Sequence, residues 1–245
     1  KTLDTNAGVS SDTGLGRSRG TRVASGAAFQ AARAAKEQAL GLAETMLGWT
    51  KSDTVLSGKK IVNRKTKKQQ PWGELLAQAG RSITGESVNK DDDHSPVTAF
   101  AAQVAEVAVD PETGEVTLRR LTTVHDTGVI MNPVGHQGQI DGGVVQGIGY
   151  GLIEYLPVQD GRVEAAHFGE YKIPTVKDIP ALKTVIVASG EGVGPYKVKG
   201  IGENPISPVA PAIANAIEDA VGVRIKDLPI TAEKVYAALR LQVKG

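Results

Sequence analysis

The sequence predicts an α+β fold, and three observations carry that expectation. Residues 24–47 repeat apolar or small side chains at three- and four-residue spacing (Phe29, Ala32, Ala35, Ala39, Leu42, Ala43, Leu47), as a long helix does. Residues 100–109 and 115–124 alternate apolar and polar positions, with Val104, Val107 and Val109 on one side and Val116 and Leu118 on the other. The turn Asp110-Pro111-Glu112-Thr113-Gly114 lies between them, so the pair reads as a β-hairpin. Helical patterns resume from Pro133 and again with Val209, Ile213, Ala216, Ile217 and Ala220.

Taken in order, Gly14-Leu15-Gly16-Arg17-Ser18-Arg19-Gly20-Thr21 is a Gly/Ser/Arg loop running into the first helix. Such a loop presents free backbone N–H groups and suits an anion such as a phosphate, or serves as an ordinary helix entry. Short strands are expected at 54–56 and 60–62, then a helix over 71–79 with Pro71 in its first turn. Lys59, Lys60, Arg64, Lys65, Lys67 and Lys68 have no interleaved aromatics and read as a solvated hairpin or loop. Residues 81–95 read as an exposed connection. Its Asp91-Asp92-Asp93 run lacks the spacing of a calcium loop.

Composition excludes several classes. The chain has 245 residues, 40% of them hydrophobic, and a formal net charge of +1, so no global basic field recruits nucleic acid. No apolar run approaches the roughly 20 residues of a membrane span. The start resembles no signal peptide, so a cytoplasmic setting is expected. The absence of cysteine excludes disulfides, thiolate zinc and an iron–sulfur cluster ligated by this chain, and four scattered histidines make no protein-ligated metal site legible. The 29 glycines gather around 14–26, 135–151 and 190–202, which suggests close backbone approach to something bulky.

Two of those segments carry candidate chemistry. From Pro133 the pattern is helical despite Gly135, Gly138, Gly142, Gly143, Gly147 and Gly149. Each helix-interior glycine costs about 1 kcal/mol against alanine, so the helix is expected to pack where side chains do not fit. Gln139 and Gln146 lie two turns apart on one face, as amides for a heteroatom-rich ligand or as polar residues of a tight helix contact. In Lys199-Gly200-Ile201-Gly202-Glu203-Asn204-Pro205-Ile206 a single acid sits between glycines and a proline, ahead of the last helix. Gly200 and Gly202 permit close approach to a ligand or positive φ, and Pro205 suits a first helical turn. Glu203 is either a helix-capping acid or a general base in a glycine-rich wall.

In family order and at family-like spacing, these motifs resemble the molybdenum hydroxylases, which include xanthine dehydrogenases, aldehyde oxidoreductases and bacterial hydroxylases of N-heterocycles. The motifs are Ser18-Arg19-Gly20-Thr21, Asp126 to Pro133, Gly138 to Gly149, Tyr171-Lys172-Ile173-Pro174 and Lys199 to Glu203. The resemblance covers nearly the whole chain, 1–245, but only the C-terminal part of the molybdopterin-binding subunit. It implies an α+β architecture of two similar subdomains, each a small mixed sheet packed with helices. The cofactor would lie between them, and the boundary would fall near 95–130.

The resemblance also implies roles. Glu203 matches the glutamate that takes a proton from a metal-bound hydroxide as its oxygen attacks an electron-poor carbon, in an N-heterocycle, purine or aldehyde. Gln139 matches a glutamine contacting the pterin, with Gly138, Gly142, Gln146 and Gly202 beside it. Ser18, Arg19, Gly20 and Thr21 match a loop at the pterin's dithiolene or phosphate end. The cofactor implied is a molybdenum–pterin in phosphate or cytosine dinucleotide form. Implied partners are a chain carrying the N-terminal half of the molybdopterin site and chains holding [2Fe–2S] clusters and FAD. Where many relatives have Glu-Pro-Pro or Glu-Ala-Pro, this chain has Glu203-Asn204-Pro205. A non-catalytic assembly or structural subunit retaining the fold, and an unrelated phosphate-ligand-binding module, are the alternatives.

Overall fold

The helical periodicity of residues 24–47 extends four residues further toward the N-terminus, forming α1 (Gly20–Leu47). In this computed structural model the described residues are Gly16, Ser18, 20–88 and 99–242. The Asp91-Asp92-Asp93 run and most of loop 14–19, Arg19 included, lie outside them.

The chain divides into two units, Gly20–His94 and Lys1–Arg19 with Ser95–Gly245. In the first, α1 accompanies the antiparallel strands β1 (Thr54–Ser57), β2 (Lys60–Asn63) and β3 (Gln69–Pro71) and the short helix α2 (Trp72–Gln78). Leu42 and Ala43 of α1, Ile61 of β2 and Leu75 of α2 form its core. The six basic residues of 59–68 are all exposed around the strand turns. Buried Asn63 closes the β2–β3 turn, its side-chain oxygen accepting the N–H groups of Lys65 at 3.0 Å and Thr66 at 2.9 Å.

The second unit is built on β4 (Phe100–Val109) and β5 (Val116–Asp126), the expected hairpin. Gly114 takes φ +77° at its turn, which favours glycine. One expectation fails in detail: Val104 is 64% exposed and out of phase with Val107 and Val109. The inward row on β4 is Gln103, Ala105, Val107 and Val109. Opposite it the register shifts, Glu106 pairing Arg120 and Val107 pairing Leu118. This bulge lets Val116 and Leu118, then Leu121, Thr123 and His125, all face inward.

After β5 come α3 (Pro133–Ile148), a π-helical turn (Gly149–Ile153), the two-residue strands β6 (Val158–Gln159) and β7 (Arg162–Val163), and β8 (Ala181–Val187). Strand β8 pairs parallel to β5, giving the mixed order β4-β5-β8. Helices α4 (Val209–Val221) and α5 (Ala232–Gln242) complete the unit. Its core joins Leu121 of β5, Ile140, Val144 and Ile148 of α3, and Val209, Ile213 and Ile217 of α4. Pro211 is tolerated in the first turn of α4, where an N–H has no intrahelical acceptor. Gly222, at φ +76°, ends that helix with its N–H on the Glu218 carbonyl. Among the described residues no helix is long and apolar enough to cross a membrane.

Candidate active site

Asn132 and Pro133 start α3 as a cap and a first-turn proline. The Asn132 side-chain oxygen accepts the Gly135 N–H at 3.0 Å. Upstream, Asp126 ends β5, and its carboxylate meets the Lys199 ammonium at 2.5 Å, with Lys199 only 5% exposed. Ser189 donates its hydroxyl to the other Asp126 oxygen at 2.7 Å. The Lys199 and Ser189 hydrogen bonds hold the Asp126 carboxyl below the usual carboxylate range. Backbone bonds from Lys199 N–H to the Thr127 carbonyl (3.1 Å) and from Val129 N–H to the Lys197 carbonyl (2.9 Å) lay the two motifs side by side. Sequence reasoning missed this brace, although both partners stand inside the motifs it singled out.

The brace delivers residues 200–206 to the face of α3. Gln139 donates its side-chain amide to the Gly202 carbonyl at 3.0 Å. The Ser18 hydroxyl accepts the Glu203 N–H at 2.9 Å. Ser18 itself holds φ +54°, uncommon for a residue with a side chain. Of the two reasons expected for glycine at 200 and 202, positive φ fails, and the approach of Ser18 supplies a further one. Neither has positive φ, and a Cβ on them would lie 2.8 Å from the Ser18 Cβ and 2.9 Å from its Oγ. The expected capping role of Glu203 also fails, as does the placing of Pro205 in a helix. Helix α4 begins at Val209 behind Pro208, and residues 203–207 form a separate turn closed by Ile206 N–H on the Glu203 carbonyl.

Beyond Gly135, whose Cβ would meet the Asn132 cap at 3.2 Å, the glycines of α3 divide into two sets. A Cβ on Gly143 would sit 2.9 Å from the Pro205 Cβ, and one on Gly147 2.6 Å from the Val209 Cβ, so these two admit the turn and α4. A Cβ on Gly138 or Gly142 meets nothing within 4 Å. Those two share an exposed face with Gln139 and Gln146, and packing among the described residues does not account for them.

Glu203 is exposed and, with Ala99, Ala101, Asn204, Ser207 and Pro208, lines an open groove of about 500 Å³. Apolar walls with a carboxylate, an amide and a hydroxyl suit a small polar ring or carbonyl compound. Thus Ser18, Gln139, Gly202 and Glu203 come together. Gln146 stands two turns further along α3, and Gly20 and Thr21 are the first residues of α1. Among the described residues no group of three or more His, Asp or Glu side chains is placed to hold a metal ion.

Residues 2–180 match the family described as molybdopterin cofactor-binding domain. The chain belongs to that family. Glu203 lies beyond the matched residues. The xanthine dehydrogenase molybdenum-binding subunit of Escherichia coli O157:H7 is 34% identical over 240 residues, 94% of this chain and 32% of that subunit. A nicotinate dehydrogenase chain of Pseudomonas putida is 43% identical over 147 residues, 60% of this chain and 12% of its own length. The structure of quinoline 2-oxidoreductase from Pseudomonas putida 86 superposes with a TM-score of 0.78 at 25% identity, covering 91% of this chain and 30% of that one. This molybdopterin cofactor-binding domain therefore spans about a third or less of the relatives it matches, and the α+β arrangement of helices and small sheets is theirs also.

Proposed function

We propose that the chain is the molybdopterin-binding part of a multi-subunit molybdenum hydroxylase, with Glu203 as its general base. The observation that carries this reading is the tethering at 202–203. Gly202 is held through its carbonyl by Gln139, and Glu203 through its N–H by Ser18, while the Glu203 carboxylate, which makes no hydrogen bond or ion pair among the described residues, lines the groove. A carboxylate whose own backbone is fixed keeps its aim without spending its oxygens on the fixing.

The residues present fit a large polar cofactor. Gly138 and Gly142 leave an open strip on α3 where side chains would stand, flanked by the amides of Gln139 and Gln146. Both glycines lower helix propensity, which a close-lying ligand accounts for. In this reading that strip holds the pterin, and Ser18 approaches its dithiolene or phosphate end. The terminal group is a phosphate or a cytosine dinucleotide. When bound, the molybdenum–pterin group supplies the two-electron redox chemistry and the activation of water.

Glu203 then accepts a proton on a carboxylate oxygen while water-derived oxygen is transferred to an electron-poor carbon. Positioned bases of this kind contribute about 10²–10⁴-fold. Ala99, Ala101 and Pro208 leave room for a flat substrate, and Asn204 and Ser207 offer it donors and acceptors. Xanthine and nicotinate, named for the relatives, are electron-poor heterocycles of the class such a pocket admits. A chain supplying the other half of the site, and chains bearing [2Fe–2S] clusters and FAD, complete the enzyme. Co-purification with metal analysis tests the reading. A cysteine-bearing partner and molybdenum near one per complex are expected, and an active complex free of molybdenum would overturn it.

A further inference from the structure

We propose that Gln103 is a positioning residue for Glu203, holding the 203–206 turn from the sheet side; the inference rests on the reading of Glu203 as the base. Gln103 stands on the inner face of β4, and its side-chain amide nitrogen donates to the Pro205 carbonyl at 2.9 Å and to the Thr123 hydroxyl at 3.1 Å. The Thr123 hydroxyl in turn lies 2.6 Å from the His125 Nε2. Thr123 and His125 are 2% and 1% exposed. A line of polar groups thus runs through the sheet from His125 to the carbonyl two residues after Glu203.

The Gln103 end of that line has a definite direction. Burial pushes the His125 imidazole below its ordinary value, so the ring is neutral, with one nitrogen a donor and the other an acceptor. In either tautomer the Thr123 oxygen has a lone pair to accept from Gln103. Turning the Gln103 amide over would set its oxygen against the Pro205 carbonyl, two acceptors facing each other.

The arrangement also carries a cost that packing alone does not explain. The Gln103 Oε1 is buried with no hydrogen-bond partner among the described residues. A buried acceptor left unpaired destabilises a fold, and a methionine of similar volume would avoid the loss. Glutamine here is accounted for by its two N–H groups. One of them holds the turn at the Pro205 carbonyl, a point separate from the Glu203 N–H and Gly202 carbonyl held by Ser18 and Gln139.

The test uses Gln103→Met in the metal-loaded complex, reading amide hydrogen exchange over 201–207 together with kcat and KM. Loss of the tether predicts normal molybdenum content, exchange in that segment faster by about 10-fold, and kcat lower by about 10-fold with KM little changed, since small misplacements of a reacting group cost rate more than binding. Unchanged exchange in 201–207 would overturn the proposal whatever the rate does. Faster exchange with unchanged kcat, in a series where Glu203→Gln abolishes turnover, would overturn it too. Normal turnover in Glu203→Gln would instead remove the base assignment, and with it the reason for positioning. Gln103→Glu, which keeps the length but loses the donors, is expected to behave as the Met variant does.

Discussion

Ser18 and Glu203 stand 185 positions apart in sequence, yet the Ser18 hydroxyl accepts the Glu203 N–H at 2.9 Å. Ser18 holds φ +54° while doing so, a conformation that persists in a non-glycine residue only where the surroundings require it. The hydroxyl also fills the space that glycines at 200 and 202 leave open. Ser18→Gly relieves the backbone and removes the bond. Loss of about 1 kcal/mol at the Glu203 N–H, if felt in the transition state, slows turnover about fivefold. Turnover per molybdenum atom checks this, and an unchanged value would mean that the contact does not orient the carboxylate.

The two sets of glycines on α3 predict opposite outcomes for neighbouring substitutions. Gly142→Ala meets nothing within 4 Å and is expected to stabilise the helix by about 1 kcal/mol while lowering molybdenum content. Gly143→Ala drives a methyl group against Pro205, 2.9 Å away, and is expected to destabilise the fold by about 1–3 kcal/mol. Thermal unfolding and metal analysis on both variants distinguish them. A stabilised Gly142→Ala protein with full molybdenum would mean that the open strip holds no cofactor.

The Asp126–Lys199 brace makes stability depend on pH in a definite direction. The folded Asp126 carboxyl titrates below its ordinary value, so its contribution is fully present above the unfolded pKa of about 3.9 and is lost as pH falls through the folded value. Asp126→Asn leaves the nearly buried Lys199 ammonium without its carboxylate and is expected to cost about 3 kcal/mol at neutral pH. The gap between the two proteins should close as the solution is acidified. Unfolding curves from neutral pH down to about pH 2 check it; a gap that stays constant from about pH 4 down to about pH 2 would show that the pair carries no linkage.

Much of this was legible in the sequence, and the parts that were not have physical reasons. The long α1 and the hairpin announce themselves by periodicity, because each buries one face against a core. Strand β8 did not. Its seven residues sit at the sheet edge with every second side chain exposed, and its partner β5 lies across α3 and a long irregular connection. Strand β3 and helix α5 were likewise unread, the first for its three residues and the second for its mixed polar composition. Motif order pointed to Glu203 and Gln139 as a pair to watch. Their approach through Gly202, the service of Ser18 and Gln103 to one turn, and the pairing of Lys199 with Asp126 are tertiary relationships that no local pattern encodes. The glycines show the limit most plainly: Gly142 and Gly143 are adjacent and alike in sequence, yet one faces open space and the other a proline.

The central claim is that Glu203 is the base. Glu203→Gln keeps the side-chain volume and the Glu203 N–H bond to Ser18 while removing the proton acceptor. The decisive measurement is single-turnover reduction of the assembled complex by its substrate, with molybdenum content determined on the same sample. The account predicts full loading and reduction slowed by at least about 10²-fold. Near-normal reduction in a fully loaded variant would contradict it.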